Sequence, residues 1–253
     1  MNSMILKEKH FKHILAEKYD LAVLPWGATE AHNYHLPYGT DNYEAEAIAK
    51  ESVKLAAEKG ARLILLPGIP FGVNTGQSDI PLTINMYPST QMMVLRDILE
   101  SLQRSGIFKL LIVNSHGGND FKQILRELGS EFPDMILATC NWYQSVERSE
   151  IFEKEGDHAD ELETSLMMHL HPDVVLPLEE AGNGSFKKFT VKALNEGWAW
   201  TERKWTQVSD DTGIGDPSKA SAEKGEKYFR RVCEKISMLL VEFSSVEKNS
   251  FYN

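Results

Sequence analysis

Histidines and carboxylates follow two apolar runs in the first half of the sequence. Glu30 and His32 come after the first run, and in extended chain residues i and i+2 project to the same side, with Cα atoms roughly 6.5–7 Å apart. A carboxylate and an imidazole at that spacing can reach one metal ion, or two neighbouring ions. Asp41 stands at the start of a predicted helix, where its two oxygens could turn back and bridge two cations. His116 follows a later apolar run, beside glycines that let backbone come close.

Each of these residues also has a simpler interpretation. Glu30 and His32 could form a surface ion pair. Asp41 could act only as a helix N-cap, and His116 could be a hydrogen-bonded turn residue. Spacing alone therefore leaves a metal site and a set of structural roles open.

A second acidic cluster opens a helix predicted over residues 158–170. His158 and Glu163 are five residues apart, which places them about 140° apart around a helix, or closer if His158 belongs to the preceding loop. One of the two could bind a metal while the other carries protons. For Asp160 and Glu161 we favour a structural role, because acidic residues in a first helical turn complement the helix dipole.

The elements that must position these residues alternate along the chain. Short apolar runs predict buried strands at Leu21–Pro25, Arg62–Pro67, Lys109–Asn114 and Met135–Cys140. Helices are predicted over 5–18, Asp41–Lys59 and Ser89–Ser105. Three more are predicted after Asn119 as far as about Ser130, over 158–170 and over Ser218–Phe243. Between them, 68–88 is predicted as a long loop with a short strand at 82–85, and 171–217 as irregular.

Strands that alternate with helices in this way predict right-handed βαβ units and an α/β fold with a mainly parallel central sheet. No linker or repeat divides the chain, so we expect one domain over residues 1–253. Ligands of open α/β sheets bind at the carboxyl ends of the strands, which is where the histidines and carboxylates stand.

Composition excludes several classes of protein. Lys and Arg number 27 against 37 Asp and Glu, a net charge of −10, so nucleic acid is not an expected partner. The longest apolar runs are far too short to span a membrane, and the charged N-terminal residues do not resemble a secretory signal. Cys140 and Cys233 are too few for a disulfide framework and are expected to be buried free thiols. These features predict a soluble cytoplasmic protein.

Four motifs, in order, resemble the creatininase (creatinine amidohydrolase) family and span roughly residues 20–230. They are Gly27-x-Thr29-Glu30-x-His32-x-x-His35-Leu36-Pro37-x-Gly39-Thr40-Asp41, Asn114-x-His116-Gly117-Gly118-Asn119, His158-Ala159-x-Glu161-x-Glu163-Thr164-Ser165, and Thr212-Gly213-Ile214-Gly215-Asp216-Pro217-Ser218-Lys219-Ala220 followed by Glu223-Lys224-Gly225. The resemblance implies a three-layer α/β/α sandwich, in agreement with the alternating pattern of strands and helices.

The resemblance also implies two divalent metal ions, zinc or manganese, and mixed nitrogen and oxygen ligands suit these metals as well as iron. The residues it assigns as ligands are Glu30, His32, Asp41 (bridging), His116 and Glu163. Glu163 is chosen because Gly118 stands where creatininase itself has a glutamate, and whether Glu163 binds metal or carries protons stays open. His158 resembles the histidine that assists proton transfer, so His158 and Glu163 are the catalytic candidates.

The implied reaction is hydrolysis of a non-peptide C–N bond, as in a cyclic amide or amidine, by a metal-activated water. His158 would give a proton to the leaving nitrogen. Substrate contacts are expected from Asn74, Gln77, Ser78, Gly117, Gly118 and Trp142. Tyr143, Trp198, Trp200 and Trp205 are further candidates, with core or interface positions as the alternative.

One loop departs from the family pattern. Family members often carry Ser where this chain has Asn74, Glu-His where it has Gly76-Gln77, and Gly where it has Leu82. This loop borders the substrate pocket in the family. A small-molecule substrate is expected, but it need not be creatinine. A formamidopyrimidine-type deformylase or deaminase, a peptide-trimming member and a non-catalytic metal-binding oligomer remain alternatives. The resemblance further implies a homo-oligomer, commonly a hexamer.

Overall fold

A parallel sheet of four strands forms the centre of the computed structural model, which describes residues 4–252. The strands are β1 (Leu21–Trp26), β2 (Leu63–Leu65), β3 (Lys109–Asn114) and β4 (Ile136–Asn141). Their order across the sheet is β2-β1-β3-β4, and every pair is parallel. The mainly parallel sheet is therefore confirmed, although β2 is shorter than the strand predicted at Arg62–Pro67.

The two central strands, β1 and β3, are apolar almost throughout because helices cover both of their faces. Their register pairs Trp26 with Asn114, and Asn114 with Asn141 of β4. Three strands thus end at the same level. The loops that follow β1 and β3 therefore start side by side.

Helices and one small sheet complete the architecture. The helices are α1 (Phe11–Ile14), α2 (Thr40–Glu58), α3 (Pro88–Arg104), α4 (Phe121–Glu131), α5 (Glu161–Leu170), α6 (Lys192–Asn195), α7 (Trp205–Val208) and α8 (Ala222–Ser245). The small sheet pairs β5 (Gly156–His158) with β6 (Ile214–Gly215) in antiparallel orientation. The five long helices lie close to their predicted positions.

Alternate residues of the central strands face two separate cores. Leu21 and Val23 of β1 pack in a core shared with α2, α5 and α8, while Ala22 and Leu24 pack in a second core shared with α3 and α4. This alternation follows from the two-residue period of a strand. It gives the predicted α/β/α arrangement, with one layer of helices on each side of the sheet.

The helix predicted over residues 5–18 is wrong. The segment contains a 3-10 turn at Leu6–Glu8 and the single turn α1. The backbone of Ile5 instead makes a parallel bridge to Leu65, and the amide of Leu65 donates to the carbonyl of Met4. Pairing with the free edge of β2 holds this backbone extended, which a pattern within the segment cannot reveal.

Two other predicted elements differ in detail. The strand predicted at 82–85 is reduced to isolated bridges from Ile84 and Asn85, because Leu82 adopts a left-handed φ of 60° that ends an extended run. Helix α8 begins at Ala222 and not at Ser218, since Ser221 is its N-cap and accepts a hydrogen bond from the amide of Lys224.

Neither cysteine forms a disulfide, as the composition predicts. Cys140 and Cys233 are free thiols, half-buried and buried respectively, and burial raises the pKa of each to about 12. Among residues 4–252, no helix combines the length and the apolar character that a membrane span requires.

Candidate metal centre

The candidate site lies at the carboxyl edge of the sheet, where β1 and β3 end beside each other. Glu30 and His32 follow β1, and His116 follows β3. Asp41 lies in the first turn of α2, and Glu163 lies in the first turn of α5. Because both helices start at this edge, the structure brings together the five residues that the sequence analysis named as metal ligands.

Asp41 does not cap the helix in which it lies. The N-cap of α2 is Gly39, which makes no side-chain hydrogen bond. Oδ1 of Asp41 lies 3.3 Å from Nε2 of His32, and Oδ2 lies 3.1 Å from Nδ1 of His116. The two oxygens of one carboxylate therefore face two different imidazoles, the geometry that a carboxylate bridging two cations requires.

Glu30 faces the same group from the β1 side. Its Oε1 lies 3.0 Å from Nδ1 of His116, 4.0 Å from Nε2 of His32 and 3.8 Å from Nδ1 of His158. Only 2% of Glu30 and none of His32 is exposed to solvent. A surface ion pair, the simpler interpretation of these two residues, is therefore excluded.

Each histidine of the site is oriented by a backbone carbonyl on its far side. His32 Nδ1 lies 3.2 Å from the carbonyl oxygen of Glu30, His116 Nε2 lies 2.9 Å from that of Val73, and His158 Nε2 lies 2.9 Å from that of Ala31. A proton on each of these nitrogens satisfies the carbonyl and leaves a lone pair on the other nitrogen. Metal-ligating histidines are held in this way by outer hydrogen bonds.

Ligand atoms from these residues fall into three overlapping groups. The groups are Glu30–Asp41–His116, His32–Asp41–Glu163 and Glu30–His32–His158, and the atoms within each lie within 4.8 Å of one another. Tetrahedral ligands at zinc distances of about 2.0–2.2 Å are themselves roughly 3.4 Å apart. The observed nitrogen–oxygen separations of 3.0–3.3 Å in the first two groups are close to that value.

Unpartnered atoms in the site show that a cation fits there. Among the described residues, neither Nε2 of His32 nor Oδ2 of Asp41 has a hydrogen-bond partner, although both are buried. Nδ1 of His116 faces one oxygen of Asp41 and one of Glu30, and a lone pair opposite two carboxylate oxygens is repulsive unless positive charge lies between them. Protons on the two imidazoles, or metal ions bound to them, would satisfy these atoms.

The pKa shifts of the buried groups in the site have the same origin, the negative charge of the carboxylates together with burial. Burial alone lowers the pKa of His32, but the nearby carboxylates, Asp41 first, outweigh it and raise the pKa to about 10. Glu30 and Asp41 likewise raise the pKa of His116 well above its ordinary value against the effect of burial. Burial raises the pKa of Glu163 to about 8, and the charges of Asp160 and Asp41 act in the same direction. Without a cation, protons must compensate the carboxylates.

The start of α5 differs from the predicted helix over 158–170. His158 ends β5, outside the helix, and Glu163 accepts a hydrogen bond from the amide of Ala159, so both can approach the site. Asp160 is the N-cap, and its Oδ1 accepts from the amides of Leu162 and Glu163 at 2.9 and 3.2 Å. The structural role favoured for Asp160 is therefore a hydrogen-bonded cap.

Glu161 is structural as well, through a different set of partners. Its carboxylate accepts from the amides of Glu153 and Lys154 at 2.9 and 2.7 Å. It also pairs with Lys224 of α8 at 2.6 Å, although the residue is completely buried. Glu161 thus ties the 153–154 loop and α8 to the start of α5.

The predicted substrate contacts of the 74–78 loop lie around a 3-10 turn at Thr75–Gln77. The side-chain Nε2 of Gln77 donates to Oε2 of Glu30, which makes Gln77 a partner of a candidate ligand. Asn74 is buried and donates to the carbonyl of Ile84 at 3.1 Å. Ser78 is exposed at the end of the turn. Contact of these side chains with substrate stays a prediction.

The other predicted substrate contacts lie at the ends of β3 and β4. Gly117 and Gly118 are exposed, and a Cβ at Gly118 would overlap the carbonyl oxygen of Val73 and Nε2 of His116. Only glycine fits there with this backbone. Trp142 is completely buried and its indole donates to Oγ of Ser115 at 2.8 Å, so in this structure it packs within the core below the site.

Glu44 lies one helical turn after Asp41 and is not among the site residues predicted from the sequence. Glu44 is completely buried, its Oε1 has no hydrogen-bond partner among residues 4–252, and its Oε2 is 3.5 Å from Oγ of Ser115. Burial raises its pKa well above the ordinary value, and the charge of Glu163 adds to this effect. The i, i+3 spacing from Asp41 was the available signal, because it places both carboxylates on one helix face.

Comparison with known proteins decides the family. The family model described as creatininase, creatinine amidohydrolase, matches residues 6–240. The chain belongs to the creatininase family. The match to this family of hydrolases extends over nearly the whole chain. The resemblance carried by the four motifs is therefore confirmed.

Curated relatives within the family have different activities. A mycofactocin precursor peptide peptidase of Mycobacterium ulcerans (strain Agy99) is 28% identical over 226 residues, with 84% of this chain and 81% of that protein covered. A creatinine amidohydrolase of Pseudomonas putida is 27% identical over 174 residues, with 60% of this chain and 65% of that protein covered. Membership of the creatininase family therefore does not by itself fix the substrate.

Solved structures of creatininase-like proteins share the fold. A crystal structure from Bacteroides fragilis NCTC 9343, provisionally named a creatinine amidohydrolase, is 43% identical, with a TM-score of 0.92 and complete coverage of both chains. A zinc form of a creatininase mutant and a manganese form of creatininase are 22% and 21% identical, with TM-scores of 0.80 and 0.78. Each covers 97% of this chain and 100% of its own.

Proposed function

We propose that this protein is a hydrolase that uses two divalent cations, zinc or manganese, to cleave a non-peptide C–N bond in a cyclic amide or amidine. The observation that carries the proposal is the carboxylate of Asp41, whose two oxygens face two different histidines within two three-residue ligand groups. The creatinine amidohydrolase relative and the zinc and manganese forms of creatininase support the reaction class and the metals.

The residues present fit two cations that share Asp41. Glu30 and His116 would complete one set of ligands, and His32 and Glu163 would complete the other. Bound there, the cations would supply a water molecule of lowered pKa and would polarise the carbonyl or amidine carbon of the substrate. In this assignment Glu163 supplies the carboxylate ligand that Gly118 cannot provide.

His158 is the proposed proton carrier. Its Nε2 is engaged by the carbonyl of Ala31 at 2.9 Å, so Nδ1 is the atom that can accept a proton and release it to the leaving nitrogen. Nδ1 lies 3.8 Å from Oε1 of Glu30, beside the proposed ligands. His158 is therefore within reach of a substrate held by the metal centre.

Peptide trimming is the second candidate function. The mycofactocin precursor peptide peptidase covers more of this chain than the creatinine amidohydrolase does, 84% against 60%. The same ligands and the same proton carrier would serve a peptide bond, because both reactions add water to an amide carbon. The two functions therefore differ in the pocket and not in the metal centre.

The test combines metal analysis with a substrate panel. Protein purified without chelator should contain about two divalent ions per chain, and it should hydrolyse members of a panel of cyclic amides, amidines and short peptides. Glu30→Gln and His116→Ala should lower turnover by at least about 100-fold, because each removes a ligand of the centre. Glu131→Gln is the matched control, since Glu131 pairs with Arg96 at the surface.

Each outcome assigns the protein to one class. Turnover of cyclic amides or amidines supports the proposal, whereas turnover of peptides alone supports the second candidate. Fewer than one divalent ion per chain, with Glu30→Gln without effect, contradicts both. Tight metal binding without turnover of any panel member supports a non-catalytic metal-binding protein.

A further inference from the structure

A short segment that runs into the start of α7 contacts the loops beside the candidate site. We call residues 202–206 the strap. It is fastened to two neighbouring loops by side-chain contacts between Thr75 and Glu202, between Thr206 and Asp79 at 2.7 Å, and between Arg203 and Asp157 at 2.6 Å. The strap thus connects the turn that carries Gln77 with the strand that carries His158.

The strap can lie this close only because residue 76 is glycine. A Cβ at Gly76 would overlap the carbonyl oxygen of Arg203, would lie 3.3 Å from Cδ1 of Trp205 and would lie 3.4 Å from Cγ of Glu202. The overlapping atom belongs to backbone and cannot rotate away. Any other residue at this position would push the strap off the turn.

Trp205 of the strap packs against the imidazole of His158. The two ring centroids are 4.6 Å apart and the planes meet at 60°. A second ring, that of His32, contacts the same imidazole with centroids 4.1 Å apart and planes tilted by 33°. Trp205 is itself held by the guanidinium of Arg203, which lies 6.0 Å from the indole centroid.

The two ring contacts and one hydrogen bond restrict His158 in complementary ways. The bond from Nε2 to the carbonyl of Ala31 fixes one atom of the ring, but it leaves the ring free to tilt about that atom. Contacts with Trp205 and His32 limit the tilt. Of these neighbours, Trp205 alone lies outside the metal centre and its adjoining loop, so it can be changed without removing a candidate ligand.

We propose that Trp205 is a positioning residue for His158: it holds the imidazole so that Nδ1 points into the site, and Gly76 admits it to that place. The catalytic part of this inference rests on the proposed function, in which His158 carries the proton. The structural part concerns the orientation of one ring and does not require turnover.

The experiment follows the ring of His158 directly in protein labelled with ¹³C at histidine Cε1. The signal of His158 is identified by its loss in His158→Gln. Trp205→Ala should shift and broaden that signal, since it removes the ring current and the restraint of the indole, and Trp205→Phe should partly restore it. Tyr252→Ala is the control, because Tyr252 is 87% exposed and is not among the candidate site residues. An unchanged His158 signal in Trp205→Ala would overturn the proposal.

Gly76→Ala tests the strap from the opposite side of the contact. It should shift the His158 signal as Trp205→Ala does, and it should speed tryptic cleavage after Arg203 and Lys204. Gly129→Ala is its control, because a Cβ at Gly129 meets no atom within 4 Å. If Gly76→Ala leaves both the signal and the cleavage rate at wild-type values, glycine is not what admits Trp205.

Kinetics separates this inference from the proposed function. With a substrate found in the panel, Trp205→Ala should lower kcat by about 10- to 100-fold with a smaller change in KM, because a misplaced proton carrier slows chemistry more than binding. A wild-type kcat in Trp205→Ala would refute positioning. A shifted His158 signal in a protein that turns over no substrate would instead refute the proposed function and leave the ring contact established.

Discussion

Gln77 shows how one side chain outside the ligand groups can support them. Its amide donates to Oε2 of Glu30, so it restrains the carboxylate whose other oxygen faces His116. We predict that Gln77→Leu weakens zinc binding by about 10- to 100-fold, the usual effect of removing a partner of a ligand. Competition with a zinc-binding dye measures the affinity. Gln123→Leu, a change at an exposed residue of α4, should leave it unchanged, and equal affinities for the two variants would contradict the role of Gln77.

A substitution of Trp142 distinguishes a role in the core from a role in the substrate pocket. Because its buried indole donates to Ser115, we predict that Trp142→Phe lowers the free energy of unfolding by about 1–3 kcal/mol. Urea unfolding measures this, with Trp200→Phe as the exposed control. An unchanged free energy of unfolding combined with a raised KM would support the substrate contact predicted from the sequence.

At the scale of elements, the start of α5 links stability to the metal centre. Asp160 caps the helix through Oδ1, and its other oxygen binds the guanidinium of Arg148. We predict that Asp160→Ala costs about 2–4 kcal/mol, because it removes an N-cap and one partner of a partly buried ion pair. It should also weaken zinc binding, since Glu163 lies in the turn that the cap stabilises.

A second N-cap provides the control for this prediction. Asp120 caps α4 by accepting from the amide of Lys122 at 3.2 Å, and it is exposed and belongs to none of the candidate ligand groups. Asp120→Ala should cost about 1 kcal/mol in urea unfolding and leave zinc affinity unchanged. If the two variants behave alike in both measurements, the start of α5 does not position Glu163.

For the whole molecule, the metal centre should contribute directly to stability. A ligand that binds only the folded state at about 1,000 times its Kd adds roughly 4 kcal/mol. In a chain of this length that corresponds to a rise in Tm of about 10 °C. We predict this rise when zinc is added to chelator-treated protein, and its loss in His116→Ala. A Tm that zinc leaves unchanged in the wild-type protein would contradict a metal centre.

Assembly is the second prediction for the whole molecule. The family resemblance implies a hexamer, and several large apolar side chains are exposed in the single chain, among them Leu82 at 85% and Phe11 at 77%. We predict a particle of six chains of 28.6 kDa each, measured by light scattering after size-exclusion chromatography. A particle with the mass of one chain would contradict the prediction.

The sheet and the grouping of candidate ligands could be predicted because their signals are local. Apolar runs of four to six residues mark the strands, and parallel strands must bring their carboxyl ends to one edge. Glu30, His32 and His116 follow such runs, so their meeting required only the topology. The helix predicted over 5–18 failed because its competitor, the edge of β2, lies about sixty residues away in sequence.

The sequence by itself determined the family, the parallel sheet and which histidines and carboxylates could meet, since each depends on residue types at fixed short spacings. Only the tertiary structure decided the direction of each side chain. It turned Gln77 toward Glu30, buried Trp142 and placed Trp205 on His158, contacts that join residues between 27 and 47 positions apart. Such contacts depend on how loops from different elements pack together, and no local pattern encodes that packing.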